Sequence, residues 1–289
     1  MNLPKGGIAF FDSGAGGLTV LSSCLRYFPK GVFYYYGDNA RAPYGNRTED
    51  EIYRFVKQAF DIFLSLKAQA VVIACNTATA VAVEKLRKEY SFPIVGAEPY
   101  VLPTACKGGK IFILSTRATY ESVRYKKLCA RAREKERETE ILPFSCDGLA
   151  GAIEAHFPAL DFCLSEYLPR GKPTAVVLGC THYIFLKKRI EEFYGCPCYD
   201  GNDGIARRLC SLLIKKEEPQ GKNRDGQPLS RVFWEGRPLA PVCVYKSKQK
   251  AKKRRIFAQK LRFFRIFFLG SGKTKNVKIY KQMFVSIKN

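Results

Sequence analysis

The sequence predicts an α/β protein built as two facing halves, each with a mainly parallel sheet. Two observations carry that prediction. Apolar strand-like runs alternate with helix-like runs along most of the chain, the pattern of strands joined by helical crossovers. In addition, one composite stretch occurs twice: an apolar strand, a cysteine, hydrogen-bonding residues, then a helix. Its first copy is Val71-Val72-Ile73-Ala74-Cys75-Asn76-Thr77; its second, 105 residues on, is Val176-Val177-Leu178-Gly179-Cys180-Thr181-His182. A lone cysteine reads first as a small buried hydrophobe, but two in matched contexts read as a functional pair.

Taken in order, Ile8 to Phe11 is an apolar strand, Asp12 to Gly17 a Gly-rich turn, and Leu18, Val20 and Leu21 open a helix. The turn misses the G-x-G-x-x-G spacing and no Walker lysine follows, which argues against a nucleotide. It offers close backbone approach to an anion, with a carboxylate and a hydroxyl at the strand's end; Asp12 reads equally as a helix cap. Val32 to Tyr36 is a second strand, entering the polar loop Gly37 to Gly45, a place where function concentrates. Thr48 and Glu51 form a capping box for a helix with Ile52, Phe55, Val56, Ala59 and Phe63 on its apolar face. The strand to Cys75 and a helix from Ala78 to Tyr90 follow, then a short strand at Pro93 to Gly96. A cysteine between strand end and helix start lies near backbone N–H groups and the positive end of the dipole, and both favour its thiolate. In a parallel sheet, ligands bind at the C-terminal strand ends, which puts Asp12, the Tyr44 loop and Cys75 on one edge.

Glu98-Pro99 begins the crossover to the second half. Lys110 to Leu114 is a strand, and Ser115 to Thr119 leads into a helix through about Glu138, with Arg131 to Glu140 as a solvated face. Cys146 to Glu154 holds a turn and a carboxylate on the next helix. Val176 to Leu178 then carries Cys180 and His182 to the matching edge, with a helix starting near Phe185. His182 reads equally as structural or functional. Cys196-Pro197-Cys198 lacks partner ligands for zinc and reads as a turn before a short strand. Asp203 caps a helix through Leu213.

Charge is divided unevenly. Of the net +23, residues 221–289 supply +17, with 19 Lys+Arg against 2 Asp+Glu. The body therefore shows no commitment to nucleic acid. In the tail, Lys246 to Arg255 is a basic run, and Arg262 to Phe268 interleaves cations with aromatics. Such a tail reads as a nucleic-acid arm, a membrane-surface helix, or a disordered or non-native segment. Eleven cysteines, an odd number, with no secretory leader, read as reduced thiols in a cytoplasmic protein.

The stretches Phe11 to Val20, Gly37 to Gly45, Ala74 to Ala80 and Leu178 to Tyr183 together resemble the glutamate racemases, in the cofactor-independent aspartate/glutamate racemase group. Weaker echoes are Gly96 to Pro99, Thr116 to Tyr125, Cys146 to Glu154 and Asp200 to Arg208. The resemblance covers about residues 8–215 and implies two pseudo-symmetric α/β domains with glutamate in the cleft between them. On that basis the first domain takes 1–97 plus about 204–220, the second takes 98–203, and 221–289 is the tail. The resemblance also implies Cys75 and Cys180 as two catalytic bases, with Asp12, Glu154 and His182 as auxiliary acid–base groups. It carries substrate contacts to Asp12, Ser13, Tyr44, Gly45, Asn76, Thr77, Thr181 and His182. Asp147 stands where the family has proline, and Asn39 and Ala42 also depart from its pattern.

The implied chemistry needs two bases. Racemisation removes a proton from one face of a weakly acidic carbon and returns one to the other, so a thiolate and a thiol on opposite walls exchange states each turnover. No lysine stands in a recognisable cofactor setting, and neither a cofactor nor a metal is expected. The expected product is D-glutamate for peptidoglycan, and the expected assembly is a homodimer. Rival readings are an aspartate racemase or related isomerase or decarboxylase, a nucleic-acid-binding protein acting through its tail, and a thiol oxidoreductase; the last is disfavoured because neither site is C-x-x-C.

Overall fold

Ile8, Ala9, Phe10 and Phe11 are all fully buried, as a central strand covered by helices on both faces requires. The computed structural model describes residues 6–28 and 31–213, together with four short strands farther on. β1 (Ile8–Asp12) pairs in parallel with β2 (Val32–Gly37) on one side and β3 (Ala70–Ile73) on the other, and β4 (Ile94–Gly96) continues beyond β3. Helices α1 (Leu18–Cys24), α2 (Glu49–Ser65) and α3 (Asn76–Glu89) connect them. Side chains alternate between two cores, Phe10 and Val72 on one face of the sheet, Phe11 and Ile73 on the other. Each fully buried side chain of this size contributes about 1.5–3 kcal/mol.

The second sheet runs β6-β5-β7-β8, all parallel: β5 (Lys110–Ser115), β6 (Glu140–Ser145), β7 (Ala175–Leu178) and β8 (Cys198–Tyr199). Its helices are α4 (Val101–Ala105), α5 (Arg117–Glu121), α6 (Val123–Lys135), α7 (Leu149–His156) and α8 (Lys187–Tyr194). α9 (Asn202–Leu213) returns to pack Ile205, Ala206 and Leu209 into the same core as Leu18 and Leu21. The α/β architecture of parallel sheets with interleaved helices is as the sequence predicts, with β3 and β7 bringing the two cysteines to their C-terminal ends.

Several local expectations differ. The single helix through Glu138 is two helices, broken where Ser122 turns to an extended ψ of 142° and caps α6 through the N–H of Tyr125. Residues 136–140 are not helical, and Glu140 opens β6, an edge strand that tolerates Pro143. Phe60, rather than Phe55, is fully buried on α2, while the capping box of Thr48 and Glu51 forms as expected. Asp203 does not cap α9: it lies in the first turn and pairs with Arg26 and Arg207, while Asp200 accepts the N–H of Asn202.

Beyond α9, β9 (Lys215–Lys216), β10 (Val232–Trp234) and β11 (Arg237–Pro238) form a small antiparallel sheet. β12 (Arg265–Gly270) pairs in parallel with β2 and becomes the edge of the first sheet, with Leu269 against its core. Part of the tail thus joins the first sheet, and Arg265 to Phe268 are strand, not surface helix. The basic run Lys246 to Arg255 and residues 262–264 lie outside the described residues.

Candidate functional site

Cys75 is the N-cap of α3, in extended conformation, and its Sγ accepts the N–H of Ala78 at 3.4 Å. Ser13 Oγ, just past β1, lies 3.4 Å from the same sulfur. The helix terminus is where the sequence places it, but the thiolate is not favoured. Burial pushes the Cys75 thiol up to about 11; the carboxylate of Asp12 and the nearby Cys180 add to the rise, and Ser13 and the Ala78 N–H only partly offset it. Cys180 has different surroundings despite its matched sequence. A 3-10 helix (Thr181–Leu186), not an α-helix, follows it, and its sulfur lies 3.8 Å from His182 Nδ1.

The other ring nitrogen of His182, Nε2, is 2.7 Å from Glu154 Oε1, presented by α7. Burial alone would lower the His182 pKa. Hydrogen bonds to Cys180 and Glu154, with the charges of both, outweigh burial and raise it well above the usual value. Asp12 is fully buried; its Oδ1 accepts the N–H of Gly14 at 2.8 Å and its Oδ2 accepts the hydroxyl of Thr181 at 3.2 Å. Burial raises the pKa of Asp12 against the opposing pull of His182 and the Gly14 N–H. The Thr181 bond joins the C-terminal edge of the first sheet to that of the second. Gly16 permits this approach, because a Cβ there would sit 2.5 Å from Thr181 Oγ1 and 2.9 Å from His182 N.

Tyr44 and Gly45 lie in a 3-10 turn (Tyr44–Asn46). The Tyr44 ring packs between Phe11 and Phe55, and its hydroxyl donates to Asp38 Oδ2, so that hydroxyl is already engaged. Arg41 holds the same buried Asp38 at 2.8 Å. Gly45 faces Thr116 across the cleft. Thr77 Oγ1 is 2.9 Å from Thr116 Oγ1 and 3.2 Å from Thr119 Oγ1, both from the second half. Asn76 Oδ1 is buried without a partner. It borders a small cleft that is also lined by Cys180, Thr181, Glu98 and Asn202.

The predicted residues Asp12, Ser13, Cys75, Glu154, Cys180, Thr181 and His182 thus form one connected cluster, with Asn76 and Thr77 beside it and Tyr44 and Gly45 at its rim. Asp38, Thr116 and Thr119 are site-shaping residues that the sequence did not single out. A carboxylate flanked by an arginine and a tyrosine within one loop is the clue to Asp38. Both thiols are over nine-tenths buried. Among the described residues no cluster of metal-ligating side chains occurs, and no helix is long and apolar enough to cross a membrane.

The family model for Asp/Glu/hydantoin racemases matches residues 18–209. A curated glutamate racemase from Clostridium botulinum (strain Okra / Type B1) is 37% identical over 231 residues, covering 76% of this chain and 88% of that protein. One from Clostridium novyi (strain NT) is 35% identical over 237 residues, covering 78% and 90%. Among solved structures, the Aquifex pyrophilus glutamate racemase is similar with a TM-score of 0.55 and 31% identity, covering 71% of this chain and 83% of that one. The Escherichia coli glutamate racemase, in complex with L-glutamate and the activator UDP-MurNAc-Ala, shares the fold with a TM-score of 0.66 at 24% identity, covering 93% and 99%.

Proposed function

The chain belongs to the Asp/Glu/hydantoin racemase family, and on that premise we propose that it interconverts L- and D-glutamate without a cofactor, through Cys75 and Cys180. The observation that carries the reading is the buried cluster in which the Asp12–Thr181 hydrogen bond draws together two strand ends, each bearing a thiol. One sulfur, as thiolate, takes the α-proton; the other, as thiol, donates its own to the opposite face. Each turnover leaves the pair with its protonation states exchanged.

The surroundings divide the starting roles. Cys75, with its pKa pushed up to about 11, is held as a thiol at neutral pH and is the proton donor in the resting state. His182, whose pKa its hydrogen bonds to Cys180 and Glu154 hold well above the usual value, lies with Nδ1 3.8 Å from the sulfur of Cys180 and steadies negative charge on that sulfur when it acts as the base. Asp12 and Thr181 stand between the two sides and relay or orient protons there. The α-carbanion has no electron sink in this scheme, so its charge must spread onto the α-carboxylate. Ser13, Asn76 and Thr77 are the hydrogen-bond donors for that charge, with the backbone N–H of Thr181, whose hydroxyl is engaged by Asp12. Tyr44 and Gly45 complete the pocket wall through the turn that Asp38 holds.

The same proposal includes a cytoplasmic role supplying D-glutamate for peptidoglycan, and assembly as a homodimer, which sedimentation would test. The direct experiment is incubation of the purified chain with L-glutamate in deuterium oxide without added cofactor. D-glutamate with deuterium at Cα is the expected product. No D-glutamate, or turnover of aspartate alone, would overturn the reading.

A further inference from the structure

Helix α3 carries Cys75 at its cap and Asn76 and Thr77 in its first turn, so its tilt sets the aim of half the proposed site. Asn76, Ala80 and Glu84 fall at i, i+4 and i+8, one face of the helix. That face meets the second half at two places. At the N-terminal end Thr77 bonds Thr116 and Thr119. Seven residues on, about 10 Å along the axis, Glu84 Oε1 accepts from Arg124 Nη1 at 2.8 Å. Arg124 stands in the first turn of α6, and its Nη2 donates to Glu98 at the crossover at 3.2 Å. Among the described residues, Arg124–Glu84 is the ion pair that joins a helix of the first sheet to a helix of the second; the others lie within one half or, like His182–Glu154, inside the site.

Between the two attachment points lies a shallow cleft lined by Asn76, Ala80, Thr119, Arg124 and Tyr125. The opposite face of α3 buries Ala78, Ala82, Val83 and Leu86 in the core of the first half, and the contacts at the two points set how that packed helix meets the second half. Arg124 is 31% exposed with its Nε buried, while Glu84 is 65% exposed, so the pair sits at the solvent edge of the interface.

We propose that Arg124 is a positioning residue: through Glu84 it fixes the tilt of α3 against the second half, and so the direction from which Cys75 meets the substrate carbon. The kinetic part of this rests on the racemase reading; the geometric part does not. The test uses the full chain with Arg124→Gln, Glu84→Gln, the double variant and Arg124→Lys. It measures kcat and KM for glutamate, the melting temperature, and the rate at which iodoacetamide alkylates Cys75, followed by peptide mass.

For an ion pair of this exposure, kcat falls about two- to fivefold in each Gln variant while KM holds. The double variant is no worse than the poorer single one, Arg124→Lys recovers part of the loss, and Cys75 alkylation quickens. Added salt lowers wild-type kcat and leaves Arg124→Gln unchanged. Wild-type kcat in both Gln variants overturns the proposal, as do losses that multiply in the double variant or merely track the melting temperature. If the wild-type chain does not racemise glutamate, the racemase reading fails on its own, and unchanged Cys75 alkylation in the variants then overturns the positioning role separately.

Discussion

Gly14→Ala is the substitution whose consequence the geometry defines most sharply. Gly14 has a φ open to any residue, so alanine meets no backbone penalty there. A Cβ at this position would overlap Glu154 Oε1 and come within 3.1 Å of His182 Nε2. The carboxylate is the free end of a flexible side chain and can swing away, so the protein folds, but the 2.7 Å contact between Glu154 and His182 is lost. A hydrogen bond to a charged group is worth about 1.5–3 kcal/mol. If that loss is expressed in the transition state, the rate falls about ten- to hundredfold. The sign on pH is also set. Glu154 is among the groups that raise the pKa of His182, so displacing it lowers that pKa and moves the alkaline limb of the rate profile to lower pH. Glutamate racemisation measured across pH, with Glu154→Ala as a control, isolates the effect: the Gly14→Ala/Glu154→Ala double variant should match Glu154→Ala. A Gly14→Ala enzyme with the wild-type rate and profile would refute the role given to Glu154.

Cys75→Ala and Cys180→Ala should each abolish racemisation, a loss of at least about a hundredfold for a missing acid–base group, read as D-glutamate formed with circular dichroism as a fold check. Tyr44→Phe leaves the buried Asp38 short of one donor, at a cost of about 1–3 kcal/mol in unfolding free energy, measured by urea titration. Stability should also fall at alkaline pH. Folding raises the pKa of Cys75 to about 11 and of Cys146 and Cys198 to about 12, each from an ordinary value of 9.0. These thiols contribute stability below pH 9 that is lost as pH rises through the folded values. A melting temperature flat from pH 9 to 11 would contradict their burial.

What the sequence made legible, and what it concealed, follows from the range of the forces involved. The β-branched run before Cys75 and the Thr48–Glu51 capping box are decided within a few residues, and both formed where expected. The break at Ser122 is local too, yet it was masked, because the charged and apolar spacing of α6 continues through it. β6 was hidden by Glu140 and Pro143, which only an edge position makes acceptable. Asp38 read as loop polarity because its clue, Arg41 and Tyr44 in the same loop, gains meaning only once both fold back onto its carboxylate. The two cysteine stretches are the most instructive. Their residues alternate alike, but one feeds an α-helix and the other a 3-10 helix, and only the second has an imidazole beside it. For Cys75 the helix terminus, a local feature, argued for a thiolate, while burial by the whole fold drives the proton back on. The near-repeat in sequence therefore yields an asymmetric pair, one thiol kept protonated by burial and one set beside an imidazole. Two identical thiols in contact could also share one proton, so the asymmetry does not make the reaction possible; it biases which sulfur begins as the donor, and the exchange at each turnover works against that bias in one direction.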